Sequence, residues 1–78
     1  MNRWLSQQAD ALAEATGLDR ETLELDPHAV DTLLDVAGHA AHESGARTNA
    51  PLVCYLLGRS HVSGKSLDEL AEILRSTS

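Results

Sequence analysis

Aromatic side chains are almost absent from this 78-residue chain, which has one Trp, one Tyr and no Phe. A core must therefore be built from Leu, Val and Ala, and such small side chains favour helices that pack closely. The single cysteine, Cys54, excludes an internal disulfide framework and a cysteine-rich zinc site. Basic residues are also few, and the net charge is −6. Because such a surface repels phosphate groups, we expect no binding to nucleic acid or to an anionic membrane.

Long apolar segments are missing as well. The longest apolar run, residues 52–57, is far shorter than the ~20 residues that a membrane span requires. No apolar segment follows Arg3 near the start, so we expect no signal peptide. A free thiol suits a reducing compartment, and we therefore expect a cytoplasmic protein. The length predicts a single domain, residues 1–78, which buries only ~60% of its unfolded surface.

The hydropathy pattern is helical throughout and contains no strand-like alternation. It predicts an all-α fold, a small bundle of four helices with a short helical connector. The first helix covers about residues 3–16, and the connector covers about residues 19–25. The second helix runs from residue 27 to Gly45, the third starts near residue 51 and stops by Gly64, and the fourth opens after Ser66.

Local signals mark several of these helix ends. Gly17 follows the first helix, where glycine accepts the left-handed conformation without steric cost. Asp26 precedes a proline and is a suitable N-cap for the second helix. Ser66 and Glu69 form the spacing of a capping box before the fourth helix. The polar end, residues 76–78, is expected to fray.

Apolar stripes at helical spacing predict which side chains face the core. The third helix is different, because residues 52–57 are apolar on nearly every side; such a helix lies in the centre of a domain or at an oligomer interface. The predicted core stripes are Trp4, Leu5, Leu12 and Ala15 in the first helix; Val30, Leu33, Leu34, Ala37 and Ala41 in the second; and Leu67, Leu70, Ala71 and Leu74 in the fourth.

A polar face on the second helix lies opposite its stripe and is formed by His28, Asp31, Asp35, His39 and His42. Imidazole and carboxylate groups one turn apart could hold a divalent metal. One helix rarely supplies a closed site, however, and favourable pairs on a solvated face explain the same spacing. We therefore predict no metal site here.

The junction between the second and third helices carries the candidate binding residues His42, Arg47 and Asn49, which would converge on an anion or another small ligand. A purely structural reading also fits, because a histidine near a helix C-terminus is stabilised by the helix dipole and Arg47 could satisfy the last carbonyls. Cys54 lies within the apolar run, so we expect a buried hydrophobe and not a nucleophile. No catalytic residue and no cofactor are predicted, and we expect no enzymatic activity.

Two segments resemble a known family. Residues 34–42 form a helix that ends in Ala-His, and residues 47–53 contain Arg47 followed by Ala-Pro-Leu, which opens an apolar helix that ends at Gly58. Together with Trp4 and the turn at residues 17–19, this pattern is similar to a small actinobacterial helical domain of unknown function. The resemblance covers about residues 4–58, and the motif positions include His42 and Arg47.

That family occurs alone or fused after the nucleotidyltransferase domain of a molybdenum cofactor guanylyltransferase. The resemblance therefore implies a non-catalytic accessory or interaction role, with a protein partner in molybdopterin-guanine dinucleotide biosynthesis. It does not imply nucleotidyl transfer, since that catalytic domain is an α/β fold. Two alternatives remain open. The chain could be a small anion- or ligand-binding domain, or a self-associating helical module, a homodimer, unrelated to molybdenum.

Overall fold

The computed structural model describes residues 1–77, and every regular element in that range is a helix. The all-α prediction is thus confirmed for the described part of the chain. No helix among these residues has the length and apolar character needed to cross a membrane. Ser78, the last residue of the predicted frayed end, lies outside the described residues. The elements are α1 (Arg3–Thr16), a first 3₁₀ helix (Arg20–Leu23), α2 (Pro27–Ser44), α3 (Asn49–Ser60), a second 3₁₀ helix (His61–Ser63) and α4 (Leu67–Ser76).

The predicted end of α1 at Gly17 and the predicted start of α2 at Asp26 are confirmed in atomic detail. The Gly17 N–H donates to the Ala13 carbonyl oxygen at 2.9 Å, with a φ of 76° at Gly17 that only glycine adopts readily. An Asp26 carboxylate oxygen accepts from the Ala29 N–H at 2.8 Å, as expected of an N-cap. A further cap, Asn2, accepts from the Leu5 N–H at 2.8 Å at the start of α1.

The capping box of α4 is present in full. The Ser66 hydroxyl accepts from the Glu69 N–H at 3.1 Å, and the Glu69 carboxylate accepts from the Ser66 N–H at 3.0 Å. The hydrogen bonds with Ser66 favour the ionised carboxylate and lower the pKa of Glu69. Two otherwise unpaired N–H groups at the helix start are therefore satisfied.

Residues 1–30 form the first of two units in the chain. The predicted α1 stripe is only partly right: Leu5 is half-buried, but Trp4, Leu12 and Ala15 are exposed, and Ala9 is the buried residue of the helix. The short 3₁₀ helix, which α1 contacts, covers the side of α1 that carries Ala9. Leu5 and Ala9, with Leu23 from the 3₁₀ segment, help to line a cavity of about 160 Å³.

The second unit begins at Asp31 and holds the main core. Val36, Leu57, Leu70 and Ala71 form a buried cluster, and Leu33, Val53, Cys54, Leu67 and Leu74 are partly buried against it. All four residues of the predicted α4 stripe belong to this set, so that stripe is confirmed.

The predicted stripe of α2 is only partly right. Leu33 packs against the core, but Leu34 is 67% exposed, whereas Val36 is 2% exposed. Thr32 is also buried, and its hydroxyl donates to the Asp68 carboxylate of α4 at 3.4 Å. Because α2 carries Ala, Val or Leu on most of its sides, contact with the other helices decides which side is covered.

Helix α3 begins earlier than the sequence suggests, at Asn49, and Thr48 at its N-cap makes no side-chain hydrogen bond. A backbone turn opens the helix instead, with the Asn49 N–H donating to the Ala46 carbonyl oxygen at 3.0 Å. Gly58 does not interrupt the helix, which continues to Ser60. The prediction that residues 52–57 lie together in the centre of the domain is wrong, since Leu57 is the buried residue among them.

Candidate functional site

A groove of about 390 Å³ runs between α2 and α3, with the C-terminal end of α4 beside it. Core residue Val36 and the partly buried Val53 and Leu74 contribute to its apolar surface. Its ionisable side chains come from α2 and are His39 and Glu43, one helical turn apart. The other lining residues are Ala40, Ser44, Asn49, Leu52, Leu56 and Thr77.

One side of α3 continues this apolar surface outward. Leu52, Tyr55, Leu56 and Arg59 have the i, i+3, i+4, i+7 spacing that places side chains on one side of a helix, and we call them the α3 face. The exposed fractions are 61% for Leu52, 67% for Tyr55 and 58% for Leu56. Leu52 and Leu56 also line the groove, so the groove and the α3 face are continuous.

Arg59 completes the α3 face with a positive charge. Its guanidinium carbon lies 5.9 Å from the centroid of the Tyr55 ring, within cation–π range. This contact holds the Tyr55 ring and the Arg59 side chain over the same side of α3. Trp, Tyr and Arg are the residue types enriched at the energetic centres of protein interfaces.

The three predicted binding residues occupy different local positions. His42 is exposed in the last turn of α2, and Arg47 is exposed in the loop before α3. Asn49 is the first residue of α3 and lines the groove, whereas His42 and Arg47 do not line it. Within residues 1–77, no hydrogen bond joins the side chains of these three residues. Their convergence on a ligand stays a prediction.

The polar face of α2 divides among separate roles. Asp35 accepts from the Arg75 guanidinium of α4 at 3.0 Å, and Arg75 also pairs with Glu72 at 3.2 Å. These contacts raise the pKa of Arg75, chiefly through the hydrogen bond to Asp35. His39 is half-buried at the groove. In the described part of the chain, no group of three or more His, Cys, Asp or Glu side chains is placed to hold a metal ion.

Cys54 lies on the inner side of α3, partly buried against the core. Its Sγ is 3.9 Å from the Leu33 carbonyl oxygen, to which the thiol donates. Burial raises the pKa of this thiol, so the unreactive protonated form is favoured. The environment matches the expectation of a small apolar side chain.

The α3 face and Glu43 were not among the predicted site residues. The sequence does contain the spacing that places Leu52, Tyr55, Leu56 and Arg59 on one side of a helix. This side could not be distinguished from the sequence, because Val53, Cys54 and Leu57 make the other sides of the helix apolar as well. Only the packing of Leu57 into the core shows which side remains open.

Residues 1–77 match a family described as a domain of unknown function (DUF6457), and the chain belongs to that family. The expectation of a small helical domain of unknown function is therefore confirmed. No curated protein and no solved structure matches the chain.

Proposed function

We propose that this chain is a non-catalytic accessory domain of molybdenum cofactor biosynthesis that acts by binding proteins through the α3 face and the adjoining groove. The observation that carries the binding role is the row of large apolar side chains at Leu52, Tyr55 and Leu56, each more than half exposed. Contiguous exposed apolar surface of this kind marks interaction sites in proteins.

The chemistry of the surface supports recognition of a protein over a small polar ligand. The groove is lined mainly by aliphatic groups, with Glu43, His39 and Asn49 at its polar positions. An interface with an apolar centre and a polar rim has this composition. The α3 face adds Tyr55 and Arg59, which lie within cation–π range of each other and are of the residue types enriched at the centres of interfaces.

The absence of catalysis is part of the proposal. Cys54 is the chain's sole thiol, and its raised pKa keeps it protonated near neutral pH. Asp35, the carboxylate of the α2 polar face that pairs with Arg75, is engaged in linking α2 to α4. The described residues thus offer apolar contact area where an enzyme needs an activated nucleophile or base.

The assignment to molybdenum cofactor biosynthesis rests on the resemblance of residues 34–42 and 47–58 to the actinobacterial domain. That domain occurs alone or fused to a molybdenum cofactor guanylyltransferase. The free thiol suits a reducing compartment, and we therefore assign the chain to the cytoplasm. By the resemblance, it would there assist the guanylyltransferase or a molybdoenzyme that receives the finished cofactor. Three of the motif positions, Ala50 to Leu52, lie in the first turn of the helix that bears the α3 face.

Affinity capture with the tagged chain from cells that contain it tests this proposal. We expect the guanylyltransferase or a molybdoenzyme to be retained by the unmodified chain and lost with Leu56→Glu, which places a charge in the apolar face. Leu34→Glu is the matched control, because Leu34 is equally exposed on α2 and does not line the groove.

Deletion of the gene should also lower the cellular content of molybdopterin-guanine dinucleotide, measured after extraction. If deletion leaves this content unchanged and no protein of the pathway is captured, the assignment to molybdenum cofactor biosynthesis is wrong. If Leu34→Glu and Leu56→Glu behave alike, the α3 face is not the binding surface.

A further inference from the structure

We infer that the occupant of the α3 face is a second copy of this chain, with the two α3 helices antiparallel across a two-fold axis and Arg59 of each copy facing Glu43 of the other. The inference rests on the proposed function, since it names the partner of the same surface. A pathway protein that binds through the same face would then compete with the second copy for it.

The charges at the two ends of the face are self-complementary. Glu43 lines the groove together with Asn49 and Leu52, and so lies beside the N-terminal end of α3. Arg59 lies seven residues beyond Leu52, about 10 Å further along the helix. Antiparallel pairing brings the C-terminal end of one α3 to the N-terminal end of the other. A two-fold axis near the middle of the face therefore places Arg59 against Glu43 twice.

Both charges are available for this contact. Glu43 and Arg59 are exposed, and neither forms a salt bridge within residues 1–77. Arg75 behaves differently, because it is held by Asp35 and Glu72. A parallel arrangement of the two α3 helices would instead bring Arg59 against Arg59, and the like charges would repel.

The exposed area matches that of a small dimer interface. Leu52, Tyr55 and Leu56 each leave on the order of 100 Å² uncovered, given their exposed fractions. With Arg59, Asn49 and the groove edge, each copy can contribute roughly 500 Å², and two copies therefore bury about 1,000 Å². That area is below the ~1,200–2,000 Å² of stable specific interfaces and is typical of weak, transient ones, and we expect a dissociation constant of about micromolar order.

The experiment is sedimentation of the full chain across a concentration series, combined with charge reversal at both ends of the face. We expect the unmodified chain to be a dimer well above micromolar concentration. Glu43→Arg and Arg59→Glu alone should each weaken the dimer by about tenfold or more, because each creates two like-charge contacts. Circular dichroism checks that both exposed substitutions leave the helices intact.

Mixing the Glu43→Arg and Arg59→Glu variants gives the decisive result. In the mixed pair, the two introduced side chains, which have opposite charges, meet at one contact. The unmodified Glu43 and Arg59 meet at the other, so both attractive contacts return. We therefore expect the equimolar mixture to form a heterodimer at concentrations where each variant alone is monomeric. Leu34→Glu, on α2 away from the groove, should dimerise normally.

A strict monomer for the unmodified chain at about 0.5 mM, far above a micromolar constant, would overturn the inference. So would a mixture that associates no better than its separate components. Neither result touches the proposed function: capture of a pathway protein that depends on Leu56 can succeed with a monomer, and a dimer can form in a chain that captures no such protein.

Discussion

The neighbouring α2 residues Val36 and Leu34 provide the sharpest test of the packing described above. Val36 is 2% exposed and belongs to the buried cluster with Leu57, Leu70 and Ala71, whereas Leu34 is 67% exposed. The apolar stripe read from the sequence includes Leu34 and omits Val36. Truncation of each side chain to alanine therefore separates the observed packing from the pattern-based expectation.

Val36→Ala should lower the free energy of unfolding by about 2 kcal/mol. Loss of the valine methyl groups costs about 1.5 kcal/mol in apolar burial. The cavity left in a close-packed cluster adds about 1 kcal/mol, and the higher helix propensity of alanine offsets about 0.5 kcal/mol of this. For a chain of this size, the net change corresponds to a fall in Tm of roughly 10 °C.

Leu34→Ala should change the unfolding free energy by less than about 0.5 kcal/mol, since an exposed side chain loses little contact on truncation. Urea denaturation followed by circular dichroism measures both variants against the unmodified chain. A larger loss from Leu34→Ala than from Val36→Ala would refute the placement of α2 against α3 and α4. Equal losses would refute it as well.

Three further predictions concern the capping box of α4 and the Cys54 thiol. Ser66→Ala should destabilise the chain by about 1 kcal/mol through loss of the N-cap hydrogen bond, measured by urea denaturation. The folded chain lowers the pKa of Glu69, so the stability from this carboxylate is present above its usual pKa of ~4.3 and is lost as the pH falls through its lower folded pKa. Glu69→Gln should therefore reduce the loss of stability between about pH 5 and pH 3, and an unchanged pH profile would contradict this account. Cys54 should react with a thiol reagent more slowly in the folded chain than in urea at about pH 8, because its raised pKa limits the thiolate; equal rates would show that the side chain is not held against the core.

Local chemistry explains why the helix ends could be predicted from the sequence. The caps at Asp26 and Ser66 bond to backbone groups three residues away, and the left-handed turn at Gly17 depends on its own lack of a side chain. These interactions need no distant partner. The α4 stripe was equally predictable, because Leu67, Leu70, Ala71 and Leu74 are its apolar residues on a single side.

The sides of α1 and α2 that face inward could not be predicted in the same way. Both helices carry alanine on several sides, and these sides therefore have similar hydropathy. Contacts with other elements decide which side is buried. Ala9 is buried where Trp4 is not, because the 3₁₀ helix covers the side of α1 that carries Ala9. Thr32 can be buried because its hydroxyl donates a hydrogen bond to Asp68, which is 36 residues away in sequence. The hydropathy pattern within one helix cannot predict a contact with so distant a residue.

The candidate site shows the same division. The sequence identified the junction of α2 and α3 and the apolar run that follows it, and Asn49 does line the groove. It did not identify Glu43 or the α3 face, because their role depends on Leu57 turning the opposite side of α3 into the core. One buried leucine thus determines which of several apolar neighbours remain available to a partner.

The buried hydroxyl of Thr32 has a consequence for how uniquely the helices are aligned. Aliphatic side chains such as Val36 and Leu70 tolerate small sliding movements, since dispersion and apolar burial depend weakly on direction. A buried hydroxyl is less tolerant of such movements, because its hydrogen bond depends on direction and distance. If α4 shifted by one turn along α2, the Thr32 hydroxyl would lose its hydrogen bond to Asp68, at a cost of about 1 kcal/mol. We therefore expect Thr32→Val to keep the helices but to broaden the set of registers they sample, because one polar pair selects a single alignment from a largely non-directional interior.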